Sequence, residues 1–147
     1  MSENDSKLKL TKSNVTGIIS GVVFFFIAFF IVTKLTSKNM TNEEFLKEIR
    51  TMSNKNPPVM LDDVTRFDSV SIIDNKGLCF NYTLVSLSKD ELDFESISKN
   101  IDPAVKKNTL EKDENKVYRD RKIPLTYKYF DKNGVLVHTI FVSEKEY

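Results

Sequence analysis

Few residues in this chain are of a type that could carry out chemistry, and they are scattered. Cys79 is the only cysteine and His138 the only histidine. One thiol cannot form an internal disulfide or supply a cysteine-based zinc site, and a lone cysteine in an apolar strand behaves as a small buried hydrophobe. His138 stands beside Leu136, Ile140 and Val142 in an alternating stretch, and no serine or cysteine motif pairs with it. It is expected to be a hydrogen-bonded structural histidine. The remaining candidates are Arg66 and Asp68, two apart in an extended stretch, so that their side chains share one face and can pair. An ion pair of structural kind is the expected reading. A carboxylate-based hydrolase is the less favoured alternative, and a deep pocket with a perturbed carboxylate would be its signature. The run Tyr118-Arg119-Asp120-Arg121-Lys122 is locally basic and is expected to be a solvated face. No residue set calls for a cofactor or a metal, and the expectation is a chain that is not an enzyme.

The charge balance supports this. Twenty-two Lys and Arg stand against twenty-one Asp and Glu, a net charge of +1. A nucleic-acid binder would carry a basic stripe, and none is found in the sequence.

The elements that must position these residues follow from periodicity. Thr41 followed by Glu44 is a capping box, and Phe45, Leu46, Ile49 and Met52 give one apolar helical face, predicting a helix from about Asn42 to Ser53. Pro57-Pro58 then forces an extended segment. From Asp68 the period becomes two, with Val70 and Ile72 alternating with Ser69 and Ser71. Asp74-Asn75-Lys76-Gly77 is a turn in which the glycine is expected at positive φ, and Phe80, Tyr82 and Leu84 return on one face. Ser88 to Lys122 reads as charged and mostly helical, with Ile97 and Ile101 four apart. Asp102-Pro103 is expected to open a helix there, with Ala104, Val105 and Leu110 as its stripe and Val117 and Tyr118 in another turn. A second hairpin closes the chain. Leu125, Tyr127 and Tyr129 precede the turn Asp131-Lys132-Asn133-Gly134. Val135, Val137 and Phe141 are expected on the returning face, opposite Leu136, His138, Ile140 and Val142.

Two like hairpins, each preceded by helix, suggest an α-β-β unit used twice. The expected fold is α+β: an antiparallel sheet of about four strands with helices packed on one face. Residues 41–147 would form this single domain, and its core would include Phe80, Tyr82, Tyr127, Tyr129 and Phe141.

Ahead of it, Ser13 to Thr33 carries no charge, and its apolar part from Val15 to Val32 matches the ~17–25 residues that cross a bilayer as a helix. Lys12 and Lys34 bracket the run and can reach the headgroups. The run is longer than a secretory apolar region and lacks a small-x-small cleavage site, so an uncleaved anchor is expected. The chain thus divides into a cytoplasmic tail at 1–12, a transmembrane helix at 13–34, a tether at 35–40 and an extracytoplasmic domain. Ser13, Gly17 and Gly21 recur every four residues, a small-residue face through which two such helices can associate into a homodimer.

At Thr65-Arg66-Phe67-Asp68-Ser69-Val70, Asn81-Tyr82-Thr83-Leu84 and Tyr127-Lys128-Tyr129-Phe130-Asp131-Lys132-Asn133-Gly134, the chain resembles a group of small uncharacterised bacterial proteins, exported or membrane-anchored. They share the pattern T-R-x-D-S-V, Y-N-Y-T-L and Y-x-Y-x-D-x-x-G. The resemblance runs from about Pro58 to Val142. It implies an extracytoplasmic α+β domain in the cell envelope and brings no catalytic residues. Such proteins often hold a pair of cysteines in the second half, which this chain lacks.

The expected function is that of a non-enzymatic accessory or assembly protein, anchored in the inner membrane and presenting its domain to a membrane or envelope protein. Arg66, Asp68, Asn81, Thr83, Thr126 and Lys128, on exposed strand positions or at a sheet edge, are the expected contacts. A phage or plasmid exclusion or immunity protein of the membrane is the alternative.

Overall fold

The computed structural model describes residues 40–147. The expected tail, the membrane helix with its Ser13, Gly17 and Gly21 face, and the tether up to residue 39 lie outside the described residues. Among those described, no helix is long and apolar enough to cross a membrane.

The first helix, α1 (Asn42–Ser53), begins where the capping box predicts. Thr41 Oγ1 accepts the Glu44 N–H, and the Glu44 carboxylate accepts the Thr41 N–H at 2.8 Å. Phe45, Leu46 and Ile49 are buried along one face. Five strands follow in chain order: β1 (Val59–Met60), β2 (Thr65–Ile73), β3 (Gly77–Leu84), β4 (Leu125–Phe130) and β5 (Leu136–Val142). They lie side by side in that same order. The long connection from β3 to β4 holds α2 (Phe94–Glu111) and the short α3 (Lys116–Asp120).

The sheet is mixed, which corrects the expectation of an antiparallel sheet of four. β3 and β4 run parallel, and the other three pairings are antiparallel. The reason is the connection: a helical crossover packed on the sheet carries the chain back to the end at which β3 began, so the next strand starts from that end. The fifth strand, β1, is the extended segment after the prolines, too short to show a period.

The core lies between one face of the sheet and the helices. Phe45 and Ile49 of α1, Ile97, Ile101 and Val105 of α2 and Tyr118 of α3 form one buried cluster with Leu78, Phe80, Tyr82, Leu125, Tyr127 and Tyr129. Residues opposite each other on the parallel pair stack: Phe80 on Tyr127 at 5.6 Å and Tyr82 on Tyr129 at 5.2 Å between ring centroids. Thr109 of α2 meets the Tyr127 hydroxyl at 2.9 Å. His138 has the structural role expected of it, with Nε2 2.6 Å from Asp102 Oδ1, fastening β5 to α2.

Four details depart from the sequence reading. Pro103 lies inside α2 and does not open a helix; the Ile97, Ile101, Val105 stripe continues across it and holds the helix to the sheet. In the first hairpin Asp74 and Asn75 take the positive φ values, 50° and 55°, with Lys76 N–H on Ile73 O at 3.0 Å, in a three-residue loop between Ile73 and its partner Gly77. Gly77 is required for a different reason: a Cβ there would meet the Pro124 carbonyl oxygen at 2.9 Å. Lastly, β5 bulges opposite Tyr129 and Phe130. The bulge buries Val137 and turns Leu136 outward, and Phe141 is exposed, outside the core expected for it.

Candidate functional site

All six polar residues singled out from the sequence lie on the sheet face away from the helices, but they are less open than expected: Thr126 is buried under its neighbours and the other five are half-buried. Strand register sets them in rows. The first row crosses all five strands: Met60, Arg66, Thr83, Phe130, Leu136. The second is Ser69, Asn81, Lys128, Thr139, and the third is Ser71, Cys79, Thr126, Phe141.

A bulge in β2 between Phe67 and Ser69 makes this arrangement. An extra residue lets Arg66, Asp68 and Ser69 all look outward while Phe67 and Val70 both reach the core. Asp68 is the hub of the first row. Its Oδ1 accepts Arg66 Nε at 2.6 Å and its Oδ2 accepts the Thr83 hydroxyl at 2.5 Å. In the second row the Asn81 amide donates to Ser69 Oγ at 3.1 Å. Cys79 is buried on this face between Ser71 and Thr126, and that burial pushes its thiol above the ordinary range, partly offset by the Lys128 charge. A raised thiol is a poor nucleophile.

The middle of the face is thus a polar lattice tied together at Arg66–Asp68–Thr83 and at Asn81–Ser69, and its margins are apolar. Met60, Leu136 and Phe141 are 49%, 44% and 52% exposed, three of the four large hydrophobic side chains exposed to this degree among the described residues. None of the three was among the expected contacts. Met60 sits on a strand two residues long, the β5 bulge turns Leu136 outward, and Phe141, an aromatic residue, was expected in the core.

The edges of the sheet differ. On β2, beyond the reach of β1, the Asn54 side chain acts as a short strand: its amide donates to Val70 O at 2.8 Å and its carbonyl accepts Val70 N–H at 2.7 Å. β5 is the other outer strand.

A cleft of about 550 Å³ opens at the end of the sheet where the β2–β3 turn, the start of β4 and the end of β5 meet. Asn42, Ile73, Asp74, Lys76, Arg121, Lys122, Thr126, Phe141 and Glu144 are among its lining residues. Among the described residues no cluster of three or more His, Cys, Asp or Glu could hold a metal ion. The carboxylates held below their ordinary range are Glu44, Glu91, Asp131 and Glu146, each at a turn or helix start. Hydrogen bonds to their own caps account for the three glutamates. Burial pushes Asp131 up, and the N–H groups of Val135, Lys89 and Asn133 outweigh it. These are structural caps, and none is directed into the cleft as an acid or base.

Together these features define an α+β two-layer domain with helices on one sheet face and a polar lattice with apolar margins on the other. The chain belongs to the DUF8479 family, described as a domain of unknown function, whose model matches residues 40–137. No curated protein matches the chain. Among solved structures, the fold is similar to that of PA3611 from Pseudomonas aeruginosa, described as a secreted protein, with a TM-score of 0.60, 11% identity, and coverage of 71% of this chain and 91% of that one. It is also similar to the type II secretion system pilotin AspS from Vibrio cholerae, with a TM-score of 0.52, 11% identity, and coverage of 72% and 92%.

Proposed function

We propose that this is a non-enzymatic accessory protein of the bacterial envelope, anchored by the uncharged stretch Ser13 to Thr33 and docking a protein partner on its open sheet face. The observation that carries the reading is the first row of that face. Met60 and Leu136 stand exposed at its two ends, and the Arg66–Asp68–Thr83 lattice lies between them. Apolar margins around a polar centre that is partly bonded within itself suit contact with a protein surface, whose acceptors can meet the donors of Arg66 and Lys128 that remain. β5 at the edge adds an outer strand to which an extended segment could pair. The fold is shared with a protein described as secreted and with a secretion pilotin, which fits an envelope setting.

The test is site-specific photo-crosslinking in cells, with the reactive residue at Leu136 or Lys128 and a control on the helical side at exposed Lys99. A discrete adduct from the sheet positions, absent at Lys99, is expected. Equal adducts from all three positions would refute docking on the open face.

A further inference from the structure

The cleft end carries a second, separate inference. Met40, the first described residue, is fastened there: the Arg121 guanidinium donates to Met40 O at 3.0 Å and to Asn42 Oδ1 at 3.3 Å, and the Asn42 amide donates back to Arg121 O at 3.0 Å. Arg121 lies over the Phe45 ring at 4.5 Å, so its charge is held in place beside the cleft. Lys76 and Lys122 are exposed on the cleft lining, with Phe141 exposed on the same rim.

The geometry points to this end as a surface for anionic phospholipid: Lys76, Lys122 and the fixed Arg121 charge meet headgroup phosphates, and Phe141 enters the interfacial layer. The inference rests on the anchor of the proposed function. From Lys34, at the end of the uncharged stretch, to Met40 the chain can span at most roughly 20 Å fully extended. The cleft end is therefore the part of the domain that the tether holds closest to the bilayer. Leu136, at the far end of the strand that carries Phe141, stands roughly 17 Å further along β5. Asp74 and Glu144 also line the cleft. The attraction is thus the excess of three cations over two carboxylates, acting within a Debye length of about 8 Å. The tether makes even a weak contact of this kind intramolecular.

The chain contains no tryptophan, so one introduced indole is a clean reporter. Full-length F141W and L136W are placed in vesicles of phosphatidylcholine with or without phosphatidylglycerol, with a nitroxide on part of the choline headgroups. Both proteins should co-float with the vesicles. The F141W indole should be quenched well beyond the L136W indole, and more strongly with phosphatidylglycerol. Raised salt should remove the extra quenching, and K76E/K122E on the F141W background should cut it roughly tenfold or more. Failure to co-float would overturn the anchor and this inference with it. Co-flotation with equal quenching at the two positions would overturn this inference and leave the anchor standing. Shielding of the F141W indole from acrylamide without nitroxide quenching would assign the cleft end to a second copy or a protein, and would also overturn it.

Discussion

Tyr82 is wholly buried, stacked on Tyr129 at 5.2 Å and edge-on to Phe67 at 5.7 Å, yet its hydroxyl has no hydrogen-bond partner among the described residues. Leaving a buried hydroxyl unpaired costs about 1–3 kcal/mol. Tyr82→Phe removes the hydroxyl and keeps the ring, so the chain should gain about 1 kcal/mol, read as a rise in Tm of about 4–8 °C. Tyr127 is the matched control. Its ring is equally buried and stacked, but its hydroxyl meets Thr109 Oγ1 at 2.9 Å, so Tyr127→Phe should lose about 1 kcal/mol. Opposite signs from one chemical change on neighbouring strands separate the hydroxyl from any general effect of replacing tyrosine. Tyr82→Ala tests the ring instead and should cost about 3–5 kcal/mol, a large share of the ~5–15 kcal/mol that holds a domain together. Urea unfolding followed by far-UV circular dichroism measures all three. A loss of about 1 kcal/mol or more in Tyr82→Phe would refute the reasoning, because the hydroxyl must then hold a hydrogen bond that the described residues do not supply.

Acid should weaken the fold. Glu44, Glu91 and Glu146 are held below their ordinary value of 4.5 in the folded chain, Glu91 at about 2, by bonds to Thr41, Ser88 and Ser143. A depressed folded value contributes stability above pH 4.5 that is lost as pH falls toward 2, and a urea midpoint unchanged across that window would contradict it. At the other extreme, burial disfavours the phenolate and pushes the hydroxyls of Tyr82, Tyr118, Tyr127, Tyr129 and Tyr147 above their ordinary value of 10. Their contribution is complete below pH 10 and is lost as pH rises beyond it, so absorbance at 295 nm should report all five tyrosines ionising together, in one step with unfolding. Gly77→Ala sets a methyl group against the Pro124 carbonyl and should destabilise by about 1–3 kcal/mol; an unchanged melt would show that the β4 entry gives way freely.

What the sequence revealed depended on whether the signal was local. The Thr41–Glu44 box located α1 to the residue, because a cap is decided within one turn. The same grammar recurs at Ser88 with Glu91 and at Ser143 with Glu146, where it closes only short turns. No apolar period follows to draw attention to it. The strands were legible as alternation, but their directions were not: the parallel β3–β4 pair is decided by how the 85–124 connection packs, which no window of residues contains. Pro103 is the converse case, a strong local signal overridden by the apolar stripe on either side of it.

The proposed interaction face divides along the same line. Its polar centre was found because serine, threonine and asparagine between apolar residues mark the outward side of a strand wherever the period of two holds. Its apolar margins were hidden because there the period breaks. Across a bulge alternation no longer tracks the layers: it groups Leu136 with His138, Ile140 and Val142 on one face, although the added residue turns Leu136 outward while Ile140 and Val142 are buried. Phe141 shows a further limit: alternation placed it correctly on the side opposite His138 and Ile140, and the expectation of a buried aromatic then assigned it to the wrong layer. Both bulges, at Asp68 in β2 and at Val137 in β5, fall where the first row is built. The first turns Asp68 and Ser69 to the open side together, and the second turns Leu136 to it. The two irregularities that defeat a reading by period are therefore the ones that give this face its charged hub and its apolar margin.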